Sequence, residues 1–267
     1  MFLQRLYNVI KLPIAIIVSL LLLSAATTRA DIKSLDEAEK RITLLTVEIK
    51  INPQSADLYV KRGDLYFDTH DFDSAVKDYT AAISIDNSLD TAWFGRGMAQ
   101  GRMGFISEGI DDLSVYIERN PEDSVALTKR GVRYLWIGDK LNAQRDLQKA
   151  IKIDPDNAEA HDDLGVVLSQ KGDYKQAINH FRRTITLDPS YQKGHHNLAM
   201  ALYITENDLL ALASVNQSLA LKPNSRGSLM LKSKILAGLG RMEEARQLED
   251  EAIFLPEANW SETAPIE

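Results

Sequence analysis

Apolar residues recur at helical spacing along most of the chain, in short amphipathic segments punctuated by glycine and proline. From Ala158 to Tyr191, Leu164, Val167 and Leu168 mark one helical face, and Ala177, Phe181 and Ile185 mark a second. Between them Gly172 supplies the φ > 0 conformation that stops a helix. Pro189 closes the second segment, because proline cannot continue a helix. The stretch therefore predicts a helix, a tight turn, an antiparallel helix and a stop. The pattern recurs in units 56–89, 90–123, 124–157, 158–191, 192–225 and 226–256. Ahead of them, Ile32, Leu35, Ala38, Ile42, Leu45 and Ile49 line one face of a helix predicted over 31–51, with Pro53 after it. No partner helix precedes it, so residues 31–55 read as the second half of a repeat used as an N-terminal cap.

The units share a register of 34 positions. Position 8 is Gly63, Gly97, Gly131, Gly165, Ala199 and Ser233, and position 20 is Ala75, Gly109, Ala143, Ala177, Ala211 and Ala245. Both are small, as a close helix crossing requires. Position 28 is an apolar ridge of Ile83, Ile117, Ile151, Ile185, Leu219 and Ile253. The turn position 15 is glycine at 104, 138, 172 and 240, with His70 and Glu206 as exceptions. Proline closes most units, at Pro121, Pro155, Pro189 and Pro223. A helix–turn–helix period of this length and register resembles the tetratricopeptide repeat family over residues 56–256. Tyr59 and Trp93 at position 4, Tyr66 and Tyr134 at position 11, and Tyr79 and Phe181 at position 24 fit the resemblance. It implies an all-α fold, a right-handed α-solenoid of six helix-turn-helix repeats with an N-terminal capping helix. It also implies a non-catalytic, cofactor-free scaffold that binds a protein or peptide partner. Glu249, at position 24 of the last unit, suits the polar end cap that an open solenoid needs. The tail 257–267, polar with Pro265 and one Trp260, reads as flexible, the alternative being that Trp260 docks on the last helix.

The N-terminus departs from this pattern. Arg5 and Lys11 precede an apolar run from Leu12 to Ala26, and Thr28-Arg29-Ala30 places small residues at a cleavage site. Residues 1–30 thus read as a secretory signal peptide cleaved near Ala30, or as an uncleaved membrane anchor. Either reading places the rest in an exported compartment, the periplasm or the periplasmic face of an inner membrane. Those thirty residues hold three basic and no acidic side chains, so the remainder carries 28 Lys and Arg against 38 Asp and Glu. That acidic balance argues against nucleic acid and anionic membrane surfaces as partners. With no cysteine, disulfides, thiolate zinc sites and thiol catalysis are excluded.

Side-by-side comparison of the units exposes a pairing. Position 7 is Arg62, Arg96 and Arg130 in the first three units, and position 23 is Asp78, Asp112 and Asp146 in the same three. In the last three, Leu164, Leu198 and Lys232 face His180, Ser214 and Leu248. Charges that come and go together on facing helices predict a structural ion pair in each early repeat. No nucleophile elbow, phosphate loop or HExxH motif is present. His161, His180 and His196 are the one constellation that suggests a metal, against the reading that they pack. Asp162 and Asp163, adjacent on a helix, diverge by about 100° and read as a solvated face rather than an acid–base dyad.

By resemblance, function falls to the concave face lined by the first helices. The partner-binding residues predicted there are Phe94, Met98, Arg102, Lys129, Val132, Trp136, Glu159, Asp162, Asp163, Val166, Asn197, Met200 and Tyr203. An apolar stripe with charged edges suits a peptide, and Glu159, Asp162 and Asp163 suit a partner with basic residues. Some relatives grip a peptide's C-terminal carboxylate; the matching places here are Val60, Asp64, Gly95, Val125 and Lys129, and only Lys129 has suitable charge. A chaperone-tail receptor is thereby disfavoured. Two further expectations are an assembly factor for an envelope machine such as a pilus, secretin or cell-wall enzyme complex, and homodimerisation through 31–51.

Overall fold

The computed structural model describes residues 35–256, which contain thirteen helices and no strand. The predicted signal or anchor segment and the tail 257–267 lie outside the described residues. α1 spans Leu35–Ile51. Five full helix pairs follow: α2 Ala56–Asp68 and α3 Phe72–Ile85, α4 Asp90–Arg102 and α5 Ile106–Arg119, α6 Ser124–Trp136 and α7 Lys140–Ile153. Then come α8 Ala158–Gln170 and α9 Tyr174–Leu187, α10 Gln192–Ile204 and α11 Asp208–Leu221. The sixth pair is α12 Arg226–Gly238 and α13 Met242–Ile253. The architecture is an all-α helical repeat of the solenoid class, with every first helix on positions 1–13 of its unit.

The turn holds this register. Position 15 has positive φ in all six units, from 59° at Glu206 and 62° at His70 to 87° at Gly104. The exceptions to glycine therefore adopt the glycine conformation. The next residue's N–H then bonds back to the carbonyl at position 11, as from Asp139 to Tyr134 at 2.8 Å and from Asn207 to Leu202 at 2.9 Å. Asp71, Asp139 and Asp173 follow the turn directly and cap the second helix by accepting from the backbone N–H three residues on.

Position 8 is small because position 24 is large. A β-carbon at Gly165 would sit 2.5 Å from Phe181, at Gly131 2.9 Å from Leu147 and at Gly63 3.0 Å from Tyr79. Where position 24 shrinks to Val215, position 8 grows to Ala199, and where it is the exposed Glu249, position 8 is Ser233.

The described chain divides into two compact units, one ending at Tyr116 within α5 and the other starting at Ile117. In the first, α1 packs on α2, burying Ala38, Leu45 and Ile49. Leu35, assigned to that face by its spacing, is instead exposed. In the second, α6, α8, α10 and α12 lie side by side, and each second helix packs on the first helix of its own repeat and of the next.

Candidate binding groove

The side-by-side first helices of the second unit enclose a cavity of about 710 Å³. α6 supplies Val132 and Trp136, α8 supplies Asp162, Asp163 and Val166, and α10 supplies Asn197. Six of the sequence-predicted residues therefore line one cavity. Lys193 and His196 join them from α10, with Lys222 at the end of α11 and Arg226 at the start of α12. Of the other predicted residues in this unit, Lys129 and Glu159 pair with each other, Lys129 Nζ donating at 2.6 and 2.7 Å to the two Glu159 oxygens. Met200 is exposed and Tyr203 half-buried, and neither lines the cavity. Phe94, Met98 and Arg102 belong to the first unit. There Phe94 packs against the Tyr116 ring, Arg102 lies over the Phe72 ring and Met98 is 7% exposed. Met98 and Val132, the latter 1% exposed, are thus core residues more than open wall.

The aspartate pair corrects the sequence reading. Asp162 and Asp163 are 3% and 5% exposed, not solvated. They occupy positions 5 and 6 of α8, a helix flanked on both sides by α6 and α10, which covers both. Their partners differ: Asp162 accepts two hydrogen bonds from Asn197 Nδ2, at 3.1 and 3.0 Å, while Asp163 Oδ2 accepts none. Burial pushes the Asp162 carboxyl up to about 7, opposed by the Asn197 bonds and by Lys193. It also raises Asp163 well above the carboxylate range, helped by Glu159 and Asp162 and opposed by Lys129 and Lys193. Nearby, burial and the same three carboxylates push the Tyr191 phenol upward.

The early repeats hold their ion pairs in bidentate form. Nε and Nη2 of the arginine reach the two aspartate oxygens at 2.7 and 2.7 Å for Arg62–Asp78, 2.6 and 2.8 Å for Arg96–Asp112, and 2.7 and 3.0 Å for Arg130–Asp146. Two features escaped the sequence reading. Nη1 of Arg62 and of Arg96 donates to a threonine of the preceding repeat, Thr46 and Thr80, which share position 25. Each guanidinium also lies beside aromatic rings of its own helix: Tyr59 and Tyr66 for Arg62, Trp93 for Arg96, Tyr134 for Arg130. Through those threonines, Arg62 and Arg96 tie their repeats to the preceding one.

The histidines are similarly structural. His161 Nε2 lies 3.2 Å from the Pro155 carbonyl and His195 Nε2 3.0 Å from that of Pro189. Trp93 Nε1 donates to the Asn87 carbonyl at 2.9 Å. At position 4, then, a ring N–H caps the carbonyl six residues earlier. Because a carbonyl only accepts, His161 carries its proton on Nε2, leaving Nδ1 to accept from His180 Nδ1 at 3.0 Å. Burial lowers the pKa of both rings and of His196, which bonds Ser228 Oγ at 3.0 Å. Among the described residues no group of three or more His, Asp or Glu side chains is placed to hold a metal. Arg133 is a further residue that the sequence reading passed over. It is wholly buried, its Nη1 donating to the Lys129 carbonyl, at a position that is otherwise Leu65, Ala99, Val167, Ala201 and Ile235.

Residues 56–89 and 147–179 match models of the tetratricopeptide repeat. Tetratricopeptide repeat protein 6 of Homo sapiens is 28% identical over 120 residues, covering 44% of this chain and 23% of the relative. The chain spans less than a quarter of the length of the curated relatives that it matches first. Among solved structures, the APC/C hetero-tetramer Cut9-Hcn1 aligns with a TM-score of 0.73 at 17% identity, over 94% of this chain and 52% of that one. YrrB, described as a tetratricopeptide repeat protein with an unusual peptide-binding site, aligns with a TM-score of 0.56 at 21% identity, over 69% and 95%. At these identities the likeness is one of fold.

Proposed function

We propose that this chain, which carries tetratricopeptide repeats, is a non-catalytic scaffold of the cell envelope that binds a peptide segment of a partner protein in the groove of its second unit. The observation that carries the reading is the cavity of about 710 Å³ itself. It joins an apolar wall of Leu135, Trp136 and Val166 to fixed polar groups on Asp162 and Asn197. Sites of this size and composition are typical of ligand recognition. The peptide-binding description of YrrB adds a precedent on a similar fold. Export rests on the apolar run Leu12–Ala26 behind Arg5 and Lys11.

A photo-crosslinking residue at Val166, which lines the groove, tests the reading against the same residue at Lys149, exposed on α7. In envelope preparations the Val166 probe is expected to capture one discrete partner, mapped to one segment of its sequence, and the Lys149 probe none. Equal capture at both positions, or none at Val166, refutes it.

A second reading, self-association through α1, is favoured by the exposure of Val47 and Ile51 one helical turn apart. Light scattering of Val47→Glu/Ile51→Glu decides it: a halved mass supports a dimer through α1, and an unchanged mass removes it.

A further inference from the structure

The groove's polar groups are not equally satisfied. Asp162 is fixed by Asn197, and Glu159 by Lys129. Asp163, 5% exposed and lining the cavity, keeps one carboxylate oxygen with no donor. An unsatisfied buried acceptor destabilises the fold, and more so when charged. Such a group is tolerated where a proton or an incoming donor satisfies it. Beside it, Leu135, Trp136 and Val166 present apolar surface of the kind that covers the methylene stem of a long cationic side chain.

We propose that Asp162 and Asp163 seat the charged end of a single lysine or arginine side chain carried by the bound peptide. This rests on the groove being a peptide site and specifies what the peptide must contain. Lys193, Lys222 and Arg226 also line the cavity, so it presents both signs of charge. The carboxylates are the recognising element, so binding exchanges a proton for a cation.

The sign of the pH dependence follows. Burial holds Asp162 at about 7 and Asp163 above the carboxylate range, so the pair retains protons near neutrality. An ammonium or guanidinium stabilises the ionised form, so binding expels a proton and affinity rises with pH through about 7. The other groups facing the pair are Glu159, Lys129, Lys193, Tyr191 and His196. Tyr191 is shifted upward and the His196 imidazole downward, both away from the pH at which the pair ionises.

The test uses the whole chain and blocked pentapeptides Ala-Leu-Xaa-Leu-Ala, with Xaa as Lys, Arg, norleucine or Glu, measured by calorimetry. Lys and Arg peptides are expected to bind at least tenfold more tightly than norleucine or Glu peptides. Their affinity should fall about tenfold from pH 8 to pH 6, with proton release visible as buffer-dependent heat. Asp163→Asn should abolish the preference for Lys and Arg over norleucine, with the melting temperature intact or higher. If that variant fails to fold, the proton release of the unaltered protein still decides. Equal binding of norleucine and Lys peptides overturns the inference and leaves the groove reading standing. Failure of every peptide overturns both. Cadaverine binding as tightly as the Lys peptide overturns the peptide as occupant.

Discussion

The Arg96–Asp112 pair offers a measurement whose outcome depends on what the structure says is buried. Arg96 Nε and Nη2 hold both oxygens of Asp112, at 2.6 and 2.8 Å, with the two side chains 17% and 7% exposed. Arg96 also reaches Thr80 Oγ1 at 3.2 Å and lies 5.0 Å from the Trp93 ring. Arg96→Met keeps an unbranched apolar stem under Trp93 but strands a buried carboxylate. Breaking such a pair costs about 3–5 kcal/mol, whereas replacing both partners by apolar side chains of similar volume is close to neutral. Arg96→Met should therefore destabilise by about 3–5 kcal/mol, and Arg96→Met/Asp112→Leu by about 1 kcal/mol or less. The interaction energy from the cycle is then about 2 kcal/mol or more. Chemical denaturation followed by circular dichroism gives each value, provided the denaturant slope is unchanged. A double variant as unstable as Arg96→Met alone would refute the reasoning, because the stranded charge would not be the source of the loss.

Four other outcomes follow from particular contacts. Glu206 sits at φ 59°, where a side chain costs about 1–2 kcal/mol, so Glu206→Gly should raise the thermal midpoint, and a fall would contradict that strain. A β-carbon at Gly165 meets Phe181 at 2.5 Å, so Gly165→Ala should cost about 1–3 kcal/mol and Gly165→Ala/Phe181→Leu should recover part of it, as urea unfolding can show. The folded-state pKa values of His161 and His180 are lowered by burial, so their contribution to stability is present above about 6.5 and is lost as pH falls through it. Asp162 acts in the opposite sense, its contribution being lost as pH rises from about 4 to about 7. Asp162→Asn should accordingly raise stability at pH 8 and change it little at pH 4, which melting curves across pH will decide.

Much of the fold was legible because each element is specified six times over. The glycine turn, the small residues at positions 8 and 20 and the apolar ridge at position 28 repeat in register, and the Arg–Asp correlation needed only the aligned units. What a register cannot supply is which positions a neighbouring repeat covers. Asp162 and Asp163 read as surface from one helix alone, and become buried only once α6 and α10 flank α8. Met98, assigned to the inner wall, is likewise buried in the first unit. His70 and Glu206 looked like departures from the turn, yet the backbone closing around them imposes the same left-handed conformation. The cap from position 4 to the carbonyl six residues earlier had a visible signal. Trp93, His161 and His195 all bring a ring N–H to that place, and reading them only as bulky packing residues missed it.

The central claim is that a peptide lies in the groove formed by α6, α8 and α10. The chain has three tryptophans, and of these Trp136 alone lines that groove among the described residues. Titrating the isotope-labelled protein with the lysine-centred peptide and following the indole N–H resonances, assigned with Trp136→Phe, therefore reports on the site directly. The account predicts a saturable shift of the Trp136 indole and of the Asn197 side-chain amide, with Trp93 unmoved. A shift of Trp93 alone, or binding by calorimetry with Trp136 and Asn197 both unmoved, would contradict it.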